Sequence, residues 1–291
     1  MTWLNTSVHS GFARSASEAM FPRLFPDAGW WCPSLNPAMG GTRLWDLSKG
    51  QNWGTLTNMA NDDWVTSGGK GALDFDNVDD YVNVPDSEIL SGIDFLTISF
   101  WANPRTLPPA AQGSRMWAVT KGNTNQFEWE TSINAFNNAS IPYGKWAFTA
   151  YNLAASATRS RGTLADAVTG QWQHVVFTQA GRSSTPDAYY NGTLSNGATI
   201  SSGTPTAGNG TAPVQIGRRA IGSEKIFDGQ LDDIRIYNRA LTAGEVRQLW
   251  QIGRGNIPLR RRRRYAEQMA GFKAYWARNK SQLIGAGNVS S

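Results

Sequence analysis

The chain has 291 residues, 40% hydrophobic and 17% charged, with 30 glycines, 13 tryptophans and one cysteine. A single cysteine excludes an internal disulfide and a cysteine-based zinc cage. No run of 18 apolar residues offers a helical membrane span, so no membrane partner is expected. The net charge of +5 is unevenly placed: residues 254–280 carry nine Lys/Arg against one acid, Glu267, and the remainder is slightly acidic. Charge asymmetry of this kind marks an interaction tail. The N-terminus has no basic segment followed by an apolar one, so no secretory signal is expected.

Residues 1–28 carry scattered apolar side chains and two helix-breaking prolines, Pro22 and Pro26, which predicts a docking arm. From Gly29 the pattern turns to short β segments. Leu73–Phe75 and Tyr81–Val84 flank an acidic turn at Asp79-Asp80, read as hairpin chemistry. In 95–102, Leu96, Ile98, Phe100 and Ala102 alternate with Thr97, Ser99 and Trp101, the period of a strand with one face inward. Met116–Val119, Phe127–Thr131, Trp146–Tyr151 and His174–Thr178 look alike. Ala188–Tyr190 runs into Asn191-Gly192, a tight-turn signal because both residues tolerate positive φ. Val214–Ile216, Ile226–Phe227 and Leu231–Tyr237 complete the set. Many short strands without intervening helices predict an antiparallel sandwich rather than βαβ units.

One helix is marked. Thr242 and Glu245 form a capping box ahead of Val246, Leu249 and Trp250, and Gly253 is a stop signal. Beyond it lies a basic C-terminal arm, 254–291, containing the five arginines Arg260, Arg261, Arg262, Arg263 and Arg264. Tyr265, Met269, Phe272 and Trp276 then share one face of a possible second helix, with Tyr275 beside them and Gly271 weakening it.

These segments resemble the laminin-G-like, concanavalin-A-like jelly rolls. The carriers are Gly71–Val82, Phe95–Trp101, Trp172–Thr178 with Tyr190-Asn-Gly192, Phe227–Leu241 with the helix after it, and the Asp46–Leu56 loop. Five blocks in the family's order span roughly 29–253. The resemblance implies an all-β two-sheet jelly-roll sandwich with a short C-terminal helix. The ends, Trp30–Leu35 and Phe272–Gly285, are similar to those of jelly-roll proteins from bacteriophages and aquatic bacteria. That similarity implies a virion structural protein of capsid-decoration or head-fibre type, located in the virion. Its partners would be the major capsid protein and its own copies.

Glucanases of this fold carry a strand with three spaced acids, whereas here only Glu128 and Glu130 stand near each other. That is too few and too close for glycoside hydrolysis, so the pair is read as a surface pair and no enzyme is expected. His174 falls in a core-strand motif. The family also implies a structural calcium, for which Asp46 and Asp233 are the carboxylate candidates. Glycan binding is the fold's common activity, and Trp53, Trp64, Trp117 and Trp129 are the stacking candidates, although tryptophan is usually buried. The arginine run admits three readings: a protein-docking surface, nucleic-acid binding, or a solvated tail. The neighbouring aromatic stripe, Phe272, Tyr275 and Trp276, favours the first. A carbohydrate-binding module of a surface or secreted protein stands as the alternative to the virion reading.

Overall fold

A computed structural model describes residues 24–36, 40–110, 115–123, 125–134, 141–219 and 226–254. The basic arm beyond Arg254, with all its docking candidates, and the first 23 residues lie outside the described residues.

Two antiparallel sheets stack as a sandwich, as the strand pattern predicts. One sheet runs Thr193–Leu194, Asp187–Tyr190, Gln173–Ala180, Phe95–Pro104, Asp228–Tyr237, Lys70–Asp76, Trp64–Ser67. The other runs Asn196–Ser202, Thr158–Asp166, Lys145–Tyr151, Gln126–Asn134, Arg115–Asn123, Val214–Ile216, Tyr81–Val84, Gly54–Thr57, Arg43–Leu44. Their facing sides form a single large core that includes Phe75, Ile98, Phe100, Trp129, Trp146, Phe148, Phe177 and Phe227. Burying each such aromatic contributes on the order of 2–3 kcal/mol. Ile226–Phe227, predicted as a strand, instead precedes one. Phe227 sits in the core and pairing begins at Asp228.

The first sheet is covered on both sides. Alternation places Thr97, Ser99 and Trp101 on the face away from the core, yet all three are buried. The helix Ala243–Gly253 lies there, packing Val246 and Leu249 on Val176, Tyr189 and Tyr237. Its capping box forms as predicted: the Glu245 N–H donates to Thr242 Oγ1, and the Thr242 N–H donates to Glu245 Oε2 at 2.8 Å. The predicted boundary at 28/29 is not a break in packing. Leu24 joins the helix cluster, and its carbonyl accepts Tyr237 OH at 2.9 Å. The strand Gly29–Trp31 then pairs with the 234–236 stretch of Asp228–Tyr237, beyond the point where Lys70–Asp76 stops.

A buried polar layer lies between sheet and cover. Asp228–Tyr237 bulges against Phe95–Pro104, because Asp232 faces Trp101 and Arg235 faces Ser99, leaving Asp233 and Ile234 opposite Phe100 alone. The bulge sets two consecutive aspartates on the covered side, with Asp233 at φ +51°. Asp233 accepts Arg235 Nε at 2.8 Å, Arg235 Nη2 at 2.9 Å and the Trp30 indole N–H at 2.7 Å. His174 Nε2 meets Ser99 Oγ at 3.0 Å, and its ring lies against Trp101. Burial pushes His174 down to about 3, so it is neutral in the folded protein.

Two outcomes follow for stability. Thr242→Ala removes the helix cap and lowers the unfolding free energy by about 1 kcal/mol, read by urea titration. For His174, an unfolded imidazole takes a proton below about pH 6.5 while the buried one does not. Its contribution to stability is therefore present above that pH and lost as the pH falls towards 3. The stability advantage of wild type over His174→Gln shrinks by roughly 2 kcal/mol between pH 7 and pH 5. A constant advantage across that range would show that His174 is not buried as a neutral group.

Candidate functional site

Two tight turns and the end of the helix converge over Trp101 and line an open pocket of about 520 Å³. Gly68, Gly69, Lys70, Trp172, Asn191, Trp250, Gly253 and Arg254 complete its lining. Each contributor is placed by a local rule. Gly68 and Gly69, both at positive φ, turn Trp64–Ser67 into Lys70–Asp76 and bring Lys70 to the rim. The Asn191-Gly192 turn forms as predicted, with both residues at positive φ. A Cβ at Gly192 would meet the Trp250 Cβ at 2.9 Å and its ring at 3.0 Å, so the turn is glycine both for its backbone and for the tryptophan on it. Gly253 ends the helix directly on Trp101: a Cβ there would reach the indole nitrogen at 2.2 Å.

Within the pocket, Trp101 is the buried floor, and Trp172 and Trp250 are half-buried walls. The Trp172 indole N–H donates to Ser67 O at 3.1 Å, which fixes the ring on edge at the first turn. Lys70 Nζ lies 4.0 Å above the centre of the Trp101 ring and 6.0 Å from that of Trp172, and it donates to the terminal helix carbonyl of Gly253. The Arg254 guanidinium sits 4.4 Å over Trp250. Both contacts join a cation to an aromatic face, at the helix end where positive charge is favoured. Asn191 Oδ1 accepts the His174 N–H at 2.9 Å.

None of the four tryptophans predicted to stack on sugars lines this pocket. Trp129 is 1% exposed and Trp64 8%, both inside the central core, so neither has a face for a ligand. They are inward positions of strands, which sequence alternation alone does not distinguish from outward ones. Trp53 is half-buried against Trp45 and under Arg43. Trp117 lies at 4% exposure on the outer side of the second sheet, beside Arg219. Trp101, Trp172 and Trp250 did appear in recognised segments. What ties them together is the approach of residues 69, 101, 191 and 253 in space, which no local spacing encodes.

The predicted surface pair Glu128 and Glu130 is a correction: both are buried, and they belong to different networks. A bulge at Lys121–Gly122 falls opposite Glu128 and breaks the alternation between the two acids. Glu128 lies 3.4 Å from Lys121 Nζ and accepts the Gly92 N–H, and burial raises its pKa against that pairing. Glu130 is held by Arg115 at 2.9 Å, Arg219 at 3.0 Å and Tyr151 OH at 2.7 Å.

The calcium candidates are joined by a tryptophan rather than placed side by side. Trp30 donates its backbone N–H to Asp46 and its indole N–H to Asp233. Asp46 also accepts the Ser48 and Asn52 N–H groups and the Ser48 hydroxyl, and burial pushes it up to about 6 despite those donors. Burial raises Asp233 too, but the Arg235 fork more than offsets it and holds its carboxyl below the usual range. The lone pairs of both acids thus meet N–H and O–H donors. Among the described residues, Asp76, Asp79 and Asp80 bring carboxylate oxygens within 4.8 Å of one another. They serve the hairpin as predicted, with Asp76 accepting the Val78 N–H and Asp80 accepting the Asp76 N–H. Cys32 is buried, and burial raises its thiol pKa well above the usual value.

With this geometry in hand, the relatives can be placed. A search among curated protein sequences gives no match. Solved structures share the fold at low identity. The binding domain of Paraclostridial Mosquitocidal Protein 1 is 18% identical at TM-score 0.53, covering 74% of this chain and 51% of its own. Domain 4 of AbnA, an extracellular arabinanase from Geobacillus stearothermophilus solved with arabinotriose, is 18% identical at TM-score 0.55, covering 78% of this chain and 98% of its own. The botulinum neurotoxin serotype D binding domain is 13% identical at TM-score 0.56, covering 82% of this chain and 53% of its own. This chain spans about half the length of the two toxin domains. A family model, Laminin_G_3, matches residues 75–247, and the chain belongs to that family of the concanavalin A-like lectin/glucanases superfamily.

Proposed function

We propose that this chain is a non-catalytic carbohydrate-binding module and that the pocket over Trp101 is its sugar site. The observation that carries this reading is the pairing of two partly buried indoles, Trp172 and Trp250, around a pocket of about 520 Å³. That volume is within the usual range for small-molecule sites of ~300–1,000 Å³. Indole faces suit the C–H faces of pyranose and furanose rings, and hydrogen-bonding groups beside them suit the hydroxyls. The arabinanase domain solved with arabinotriose supports the same class of ligand for this fold. The carboxylates Glu128 and Glu130 support no hydrolytic reading, since each is already matched by cations in its own network.

The virion reading drew on the two ends of the chain. Its docking residues, Arg260–Arg264, Tyr265, Met269, Phe272, Tyr275 and Trp276, lie outside the described residues. Leu24 and Ala28, the part of the N-terminal arm that is described, pack on their own sandwich rather than waiting for a neighbour. The binding-module reading therefore has the better support.

Trp172→Ala and Trp250→Ala each weaken glycan binding by roughly ten-fold or more, measured by titration calorimetry on the tightest hit of a glycan array. Both variants keep the wild-type circular dichroism spectrum, because neither ring belongs to the central core. Wild-type affinity in both variants, or a wild-type protein that binds no glycan, would overturn the assignment.

A further inference from the structure

The geometry points to an acidic saccharide, one carrying a carboxylate or sulfate group, as the ligand of the pocket over Trp101. The inference rests on the sugar-site reading above and narrows it.

Its basis is the chemistry of the lining. The charged side chains at the pocket are Lys70 and Arg254, and no aspartate or glutamate lines it. Neither cation forms an ion pair with a carboxylate among the described residues. Each lies over an indole instead. Lysine and arginine offer donors only. Asn191 spends its side-chain oxygen on the His174 N–H, so its amide N–H groups are what it brings to a ligand. The polar side chains that line the pocket are therefore nearly all donors. Neutral sugar hydroxyls both donate and accept, and a site built for them ordinarily supplies acceptors as well. A carboxylate or sulfate only accepts, and it also carries the charge that two unpaired cations call for.

The acids nearest the floor, Asp232 and Asp233, feel the Lys70 charge but form no ion pair with it. Asp233 is forked to Arg235 in the layer below. Asp232, facing Trp101 across the strand pair, has its pKa raised by burial and by the Asp233 charge. Lys70 starts the strand after the Gly68-Gly69 turn and reaches the Gly253 carbonyl, next to Arg254, so both cations belong to the helix-end side of the pocket. An anionic group held there would lie beside the Trp172 and Trp250 rings of the same pocket.

The test compares three probes on the full chain by calorimetry: oligogalacturonate, a neutral cello-oligosaccharide, and the same cello-oligosaccharide sulfated. The acidic probes bind and the neutral one binds at least ten-fold more weakly. Preference between galacturonate and the sulfated probe identifies the anionic group. Arg254→Gln and Lys70→Gln each reduce acidic-probe affinity by roughly ten-fold, as expected for loss of a charge-assisted hydrogen bond. Arg254 is exposed, so its variant folds even if Lys70→Gln does not. Replacing Arg260–Arg264 with glutamine leaves the Trp172-dependent binding intact. Neutral-probe binding as tight as acidic-probe binding, and lost with Trp172→Ala, would overturn the acidic preference and keep the sugar site. No binding of any probe would overturn both. Acidic binding lost with the arginine run and indifferent to Trp172 would remove the pocket as the site.

Discussion

The fork between Arg235 and Asp233 is the interaction on which the covered side of the sandwich depends. Both residues are on one strand, two positions apart, and both are buried. A buried ion pair is stable only where further hydrogen bonds use the remaining donors and lone pairs. Here the Trp30 indole completes Asp233, and the Leu24 carbonyl takes Arg235 Nη1. The N-terminal segment is thus required by the electrostatics of a strand two hundred residues away. The bulge that makes this possible also fixes where two partner strands abut. Lys70–Asp76 pairs up to Leu231, and Gly29–Trp31 takes over at Ile234. Asp233 at φ +51° is the local strain of that junction, tolerable because aspartate visits this region more readily than most residues.

The pocket inherits its rigidity from this layer. Trp101 is wedged between His174 on the neighbouring strand and Gly253 of the helix above. His174 is in turn fixed by Ser99, and the Asn191 side chain holds the His174 N–H while its own turn supports Trp250. One chain of contacts therefore runs from the buried strands to the exposed rings. A neutral imidazole suits this position, since a second positive charge beneath Lys70 would oppose the cation already lying on Trp101.

The strands were legible wherever the inward positions are apolar. The Phe95 strand, the Asn191-Gly192 turn and the Thr242 cap are each written in a few adjacent residues, and each formed. Thr158–Asp166 was not legible, for a physical reason. The positions where it faces Phe148 and Ala150 are Arg161 and Arg159, which reach Pro186 O and Ser183 O to close the open edge of the sandwich. Charged side chains at those places erase the period of two. Asn196–Ser202 is an exposed edge strand, and its polar composition likewise hides it. Among the site residues, the tryptophans were visible as a surplus, but their roles were not. Trp129 and Trp101 are both 3% exposed or less, yet one fills the core and the other floors a pocket. Only the covering helix separates the two cases.

The two sheets differ in how their outer faces handle charge. On the second sheet, Glu130 sits among Arg115, Arg219 and Tyr151, and Arg219 in turn lies over Trp117 and Phe127. An anion arriving there would have to displace a buried carboxylate from a pairing it already fills, leaving that carboxylate without its partners. At the pocket over Trp101 the arrangement is reversed. Lys70 and Arg254 rest on aromatic faces with no carboxylate between them, and the walls are rings rather than acids. An anion at this pocket would meet cations without having to displace a paired carboxylate among the described residues. The scaffold thus carries one outer face whose cations are paired with a carboxylate and one pocket whose two lining cations lie on indole rings.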